Sequence, residues 1–181
     1  MEHLTRRLAI LIATGAALAG CDTTRSHSPT DMSSADLDFV TAAFNIIEFD
    51  RQECTLAATQ AKSPVVRALA AQFLQEANAF DMRLRSVTEA ANVQPPTVLR
   101  TDLRVRVAHL RLNQGLDFDR SFIEDQIASH TDALNMQDRM SQTQGAHPQL
   151  QALAKQGLEL LRENLGKLRV LQAQLALGDQ R

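Results

Sequence analysis

The chain has 181 residues, of which 19 are basic and 21 are acidic, and a formal net charge of −2 at pH 7. Nucleic-acid binding depends on basic side chains that contact phosphates, so this mildly acidic chain is not expected to bind nucleic acid. The sequence has no tryptophan or tyrosine and only five prolines and seven glycines, which favours helices over strands and turns.

The first 20 residues have the layout of a secretory signal. Two arginines precede an apolar run at 8–18, which spans roughly 16 Å as a helix and is too short to cross a hydrocarbon core of about 30 Å. The tetrad Leu-Ala-Gly-Cys that ends at Cys21 resembles a bacterial lipobox, in which the cysteine receives a diacylglycerol and becomes the mature N-terminus. We therefore expect a lipoprotein signal peptide over 1–20 and a lipid anchor on Cys21 that holds the protein on a membrane.

Residues 21–35 are predicted to form the lipidated start and a flexible tether, because seven of the 14 residues at 22–35 are serine or threonine. Asp22 resembles the inner-membrane retention signal of enteric bacteria. This rule differs among bacteria, so the sequence does not decide between the inner and the outer membrane. Once Cys21 is acylated, Cys54 has no partner for an intramolecular disulfide. The expected location is the bacterial cell envelope, on the periplasmic side.

After the tether, apolar residues recur every three or four positions, which predicts four long amphipathic helices. The predicted helix starts are the Ser33–Asp36 capping box, Ser63-Pro64, Asp117 or Asp119, and Pro148. A shorter helix is expected over 97–114, within the long connection before the third long helix. The predicted fold is all-α: a ferritin-like four-helix bundle over 36–178 with a helix-containing connection between the second and third long helices.

Three polar residues lie on these apolar stripes and are expected to point into the core: Asp50, His130 and Asn164. An unpaired polar group there costs on the order of 1–3 kcal/mol, so we expect these residues to have partners. One hypothesis is that they satisfy one another, together with Gln126, and so set the register of the helices.

The second hypothesis is a transition-metal centre that uses His130 and Asp50. Di-iron bundles carry Glu-x-x-His pairs, and no histidine here has a glutamate three residues before it. One histidine, one aspartate and one asparagine are a poor ligand set for a tightly held transition metal. We therefore expect no cofactor, with a metal as the alternative.

The sequence contains no glycine-rich phosphate loop, no paired-cysteine motif and no Gly-x-Ser-x-Gly element. No catalytic residue is predicted from these motifs, and no protein partner can be named. A basic stretch of arginines at 100–111 is expected to be a solvated helix face.

Two segments, DFVTAAFNIIEFDRQECTLAATQAKSPVVRALAAQFLQE and GLDFDRSFIEDQIASHTDAL, resemble an exported bacterial family known only as a domain of unknown function. That family is described as ferritin-like, and its members are often described as outer-membrane proteins or lipoproteins. The resemblance runs over 38–171, and its most specific parts are Lys62-Ser63-Pro64 and Phe118-Asp119 followed eleven residues later by His130.

The resemblance implies a set of family site positions. Family members usually carry an acidic residue at the position of Asp50, an Asp-His pair at Glu76-Ala77, a histidine at His130 and another histidine at Asn164. Two of the three histidines are thus missing here, so the resemblance supports the fold and the envelope location but weakens metal binding.

These observations predict a membrane-anchored lipoprotein that faces the periplasm and has a non-enzymatic binding or structural role in the cell envelope. The alternative is a ferritin-like metal-binding or redox protein with a degenerate site.

Overall fold

The computed structural model describes residues 31–178, which fold into a bundle of α-helices. The helices are α1 (Ser34–Gln60), α2 (Pro64–Ala90), α3 (Thr101–Leu112), α4 (Gly115–Gln142) and α5 (Pro148–Gly178). Within this range there is no strand, only an isolated parallel bridge between Ala61 and Gly115. The predicted all-α fold is confirmed: four long helices form the bundle, and the short α3 lies in the connection between the second and third of them. The predicted signal peptide and Cys21 lie outside the described residues.

The helices pack in a fixed neighbour order. α1 packs along α2 and also against α4, and α4 packs along α5, whereas α2 and α5 make few contacts with each other. α3 covers α1 and α4 on their outer side. None of the helices described in 31–178 combines the length and apolarity that a membrane span needs.

The buried apolar side chains form two main clusters at opposite ends of the bundle. The first cluster joins the start of α1 and α5 to the end of α2 and α4, and includes Phe44, Leu84 and Leu150. The second joins the other ends of the same helices and includes Val66, Phe122 and Leu168. The polar residues expected in the core lie between these two clusters, at the middle of the bundle.

The predicted apolar stripes face the interior with a few exceptions. Leu37 and Leu160 are each 40% exposed, and Ala58 is exposed, although all three follow the three-four spacing of apolar residues from which the helices are predicted. On α1 the reason is that α2, α3 and α4 all contact the helix, so its buried face is wider than one stripe and takes in Phe39 and Phe49 instead.

The predicted cap of the third long helix is wrong. α4 begins earlier than Asp117, at Gly115, whose positive φ of 64° and bridge to Ala61 set the start of the helix. Asp119 is buried and accepts hydrogen bonds from the backbone N–H groups of Lys62 (3.0 Å) and Ser63 (2.8 Å), at the start of α2. The two most specific segments of the family resemblance therefore meet in a structural clasp.

A second clasp ties the start of α1 to the start of α5. The predicted capping box is present: the Ser33 hydroxyl accepts from the Asp36 N–H, and the Asp36 carboxylate accepts from the Ser33 N–H at 2.8 Å. The other oxygen of Asp36 accepts the backbone N–H of His147 at 2.9 Å. Asp36 thus fixes the start of α1 to the residue that precedes α5.

Candidate functional site

A cavity of about 80 Å³ lies in the middle of the bundle, between the two apolar clusters, and all four long helices line it. Its apolar wall includes Ile47 from α1, Phe73 from α2 and Met136 from α4. Among the lining residues, Phe80 is partly exposed and Leu160 is exposed; they lie on α2 and α5, the two helices with few mutual contacts. The cavity therefore opens to solvent between α2 and α5.

His130 is only 5% exposed and lines this cavity. Its Nδ1 lies 3.0 Å from the backbone oxygen of Gln126. Because a carbonyl oxygen can only accept, Nδ1 carries the proton, and in the neutral imidazole Nε2 keeps a free lone pair. Phe73 packs against the ring with the two centroids 4.6 Å apart and so fixes its orientation.

Asp50 is half-buried and lines the cavity next to His130. Its Oδ1 accepts the Ser129 hydroxyl at 2.8 Å and the Gln126 amide at 3.4 Å. Burial raises the pKa of Asp50 above its ordinary value, and the charge of His130 and the Ser129 hydrogen bond oppose that rise. Since both hydrogen bonds go to Oδ1, no described residue donates to Oδ2.

Glu76 and Asn164 form the polar wall between α2 and α5. The Asn164 amide donates to Glu76 Oε2 at 2.6 Å, and the Gln72 amide donates to Glu76 Oε1 at 2.7 Å. Asn164 is 1% exposed. In the described range the carboxylate of Glu76 has no cationic partner, so only neutral amides stabilise its charge.

Gln137 and Gly157 close the cavity between α4 and α5. The buried Gln137 has an Oε1 atom with no hydrogen-bond donor among the described residues. A Cβ atom at position 157 would overlap that same oxygen, so glycine is what allows the amide to lie against α5.

The three predicted site residues therefore line the same cavity, but they do not all pair with one another. Asp50 and His130 are joined through Gln126, which donates its side chain to the first and accepts from the second through its backbone. The partners of Asn164 are Glu76 and Gln72 instead. Of the positions implied by the family resemblance, Ala77 also lines the cavity.

Sequence reasoning missed a second buried polar group, which we name the closed cluster: Glu53, Gln126, Asp125 and Arg106. Glu53 is completely buried and accepts the Gln126 amide at 2.9 Å. Burial, and then the nearby charge of Asp125, raise the pKa of Glu53 to about 10, so this carboxyl is protonated at neutral pH.

Arg106 seals the outer side of the closed cluster. Its Nε and Nη2 atoms donate to the side chain and the backbone oxygen of Asp125 at 2.8 and 2.7 Å. The guanidinium carbon also lies 4.5 Å from the centroid of the Phe49 ring. Sequence reasoning placed this arginine in the basic stretch expected to be solvated, whereas it is half-buried.

The donor set around the cavity does not fit a tightly held transition metal. Among residues 31–178, no three or more His, Cys, Asp or Glu side chains are grouped so that they could hold an ion. The positions of Ala77 and Asn164, where the resemblance implies histidines, supply a methyl group and an amide that already donates to Glu76.

The fold and the cavity define a helical-bundle protein with a small polar site in its interior. A family model described as "Domain of unknown function (DUF4142)" matches residues 21–171, and the chain belongs to that family. This confirms the resemblance to a bacterial family of unknown function. No curated protein matches the chain.

Two solved structures share the fold. A DUF305 fragment from Deinococcus radiodurans superposes with a TM-score of 0.71 at 15% identity, covering 79% of this chain and 98% of that chain. A DUF305 protein from Streptomyces coelicolor, described as a candidate secreted protein, gives a TM-score of 0.68 at 14% identity. The match covers 79% of this chain and 94% of that chain. At this identity the likeness shows the helical fold alone.

Proposed function

We propose that the chain is an exported lipoprotein, tethered to a membrane of the bacterial cell envelope and facing the periplasm, that acts as a non-enzymatic binding module. The observation that carries the binding role is the convergence of Asp50, Glu76, His130 and Asn164 on one interior cavity. A buried polar atom without a partner costs about 1–3 kcal/mol, and a ligand in an adjoining cavity can supply that partner. Among the residues that line this cavity, Gln137 Oε1 is buried without a donor, and no described residue donates to Asp50 Oδ2 or to His130 Nε2.

Three observations support the tether. The Leu-Ala-Gly-Cys tetrad ends at Cys21, and the family match begins at the same residue. A structural relative is described as a candidate secreted protein. The stretch at 22–35 is rich in serine and threonine, as expected for a flexible connection to the bundle.

The tether is tested by expressing the full chain in a bacterium with Cys21→Ser. We expect this variant to move from the membrane fraction to the soluble fraction and to lose labelling by radioactive palmitate. Cys54→Ser is the matched control, because Cys54 is buried in the second apolar cluster and should leave the anchor intact. Retention of Cys21→Ser in the membrane fraction would overturn the tether.

The binding role is tested by native mass spectrometry of the full chain, purified with its anchor from the membranes of its host. We expect a small additional mass on the wild-type protein that Ala77→Leu removes, because Ala77 lines the cavity and the larger side chain fills it. Ala71→Leu, an exposed position on the same helix, should retain it. No additional mass on any variant, or its retention in Ala77→Leu, would leave only a structural role.

The free Nε2 of His130 in the cavity is the one observation that favours a metal-binding function instead. Elemental analysis of the natively purified full chain separates the two proposals. Iron, manganese or zinc at a stoichiometric level, lost in His130→Leu but kept in His109→Leu on the exposed face of α3, would replace the binding proposal with the metal proposal.

A further inference from the structure

Resting on the proposed function, we propose that the cavity binds a small aliphatic ammonium group, the protonated form of a primary amine. The argument follows from the hydrogen-bonding character, the charge and the size of the cavity.

The atoms that the cavity offers to a ligand are hydrogen-bond acceptors. They are Asp50 Oδ2, the Nε2 of His130 and the Oε1 of Gln137, none of which has a donor among the described residues, together with the carboxylate of Glu76. The donors nearby are already used: the Ser129 hydroxyl on Asp50 and the Asn164 amide on Glu76. An ammonium group carries three N–H donors and no acceptor, so it complements this set.

The charge of the lining favours a cation. No lysine or arginine lines the cavity, whereas Asp50 and Glu76 both line it. Amides are the donors to Glu76, so its negative charge is not neutralised by the protein. A cation would supply the opposite charge that the Glu76 carboxylate lacks, and an anion would be repelled by it.

The size and the walls restrict the ligand further. A cavity of roughly 150 Å³ holds benzene, so the 80 Å³ available here suits about three or four non-hydrogen atoms. Between the polar groups the wall consists of aliphatic and aromatic side chains such as Ile47, Phe73 and Phe80. A short alkyl chain fits this wall, with the ammonium group at the carboxylates.

The test is a titration of the purified full chain with propylammonium chloride, followed by the NMR signals of the His130 ring and by the thermal midpoint of unfolding. Propionate and 1-propanol, at matched ionic strength, have nearly the same size but a negative charge or none. Because few atoms make contact, we expect a dissociation constant in about the millimolar range, and binding at least about tenfold weaker for both controls.

Three charge-neutralising variants locate the site. Glu76→Gln and Asp50→Asn keep the side-chain size and should each weaken propylammonium binding about tenfold or more. Glu159→Gln makes the same change on the exposed face of α5 and should bind like the wild type. If one cavity variant fails to fold, the other still decides the result. Equal binding of propionate or 1-propanol, unchanged binding by a folded cavity variant, or no response of His130 would each overturn the inference.

An ammonium group can come from a free amine or from the headgroup of an aminophospholipid. Vesicles of phosphatidylethanolamine, compared with vesicles of phosphatidylglycerol, separate these sources: a His130 response to the first alone indicates the headgroup, and a response to free ethanolamine alone indicates a free amine. Either result supports the ammonium class. A bound neutral or anionic mass in the native spectrum of the wild type would instead overturn this inference while leaving the binding module intact.

Discussion

The closed cluster and the cavity are neighbours joined by Gln126, yet they differ in how they handle buried charge. In the closed cluster the protonated Glu53 and the paired Asp125 lie under Arg106, so charge is either neutralised or matched. Glu53 Oε1 and Gln126 Oε1 also lack a partner in the described range, but neither residue lines the cavity. Asp50 and His130 line it and keep acceptor atoms that the described residues do not use. The difference teaches that burial alone does not mark a site, and that unused hydrogen-bonding capacity beside empty volume does.

The largest expected effect is the pH dependence of stability that Glu53 causes. Its folded pKa of about 10 lies above the ordinary value of 4.5, so between these values the folded state holds a proton that the unfolded state has lost. The free energy of unfolding should therefore fall as pH rises, by up to about 1.4 kcal/mol per pH unit. Glu53→Gln mimics the protonated form and should be more stable than the wild type at pH 8.

Urea unfolding at about pH 5, 7 and 9 measures this slope. The exposed Glu89 on α2 gives the matched control Glu89→Gln, which should keep the wild-type slope. Burial raises the pKa of Asp50 as well, with the same sign, so the informative quantity is the difference between the slopes of Glu53→Gln and the wild type. Equal slopes would show that Glu53 is ionised in the folded protein.

Arg106→Ala should open the closed cluster and destabilise the fold by about 2 kcal/mol. The substitution removes both hydrogen bonds to Asp125 and the contact with the Phe49 ring. Arg104→Ala, an exposed arginine on the same helix, should change stability by less than about 0.5 kcal/mol. If chemical denaturation gives the same loss for both arginines, the closed cluster is not a stabilising unit.

His130→Leu should cost less, about 1 kcal/mol, because an apolar side chain can still pack on Phe73. The charge of His130 lowers the pKa of Asp50, so its removal should raise that pKa further. The carboxyl carbon-13 signal of Asp50, followed against pH, measures this, with the exposed His109→Leu as control. If the pKa of Asp50 is unchanged in His130→Leu, His130 does not influence the Asp50 carboxyl and this prediction is wrong.

Ala77→Val should have the smallest effect on stability, about 0.5 kcal/mol or less. The two added methyl groups enter the cavity, so they fill space without displacing neighbours, and the lower helix propensity of valine offsets part of the gain. The volume change of unfolding under pressure should become smaller in magnitude, because less void is lost. A loss of several kcal/mol would mean that the cavity is closed in solution.

Much of the fold could be predicted from the sequence because its signals are local. The Ser33–Asp36 box, Ser63-Pro64 and the three-four spacing of apolar residues each act within one or two helical turns, and the structure has helices there. Asp119 was misread for the opposite reason. Its partners are the backbone groups of Lys62 and Ser63, more than 50 positions away, and nothing in the local sequence separates a long-range cap from a local one.

The candidate site was half visible in the sequence. Asp50, His130 and Asn164 interrupt apolar stripes, which is the mark of an inward polar residue, and all three line the cavity. Glu53 lies three residues after Asp50 and could have been found by the same spacing, but a charged residue next to a stripe is normally solvated. Glu76 lies at the edge between α2 and α5. Its exposure depends on how closely these two helices approach each other, which the spacing of residues along α2 does not show.

The most direct test of the cavity as a binding site is the tautomer of the neutral His130 ring, measured on the full chain by long-range proton–nitrogen correlation NMR. The prediction is a proton on Nδ1, an unprotonated Nε2, and a change in the Nε2 signal when Ala77→Leu fills the cavity. A proton on Nε2, or a ring signal that is indifferent to Ala77→Leu, would contradict it.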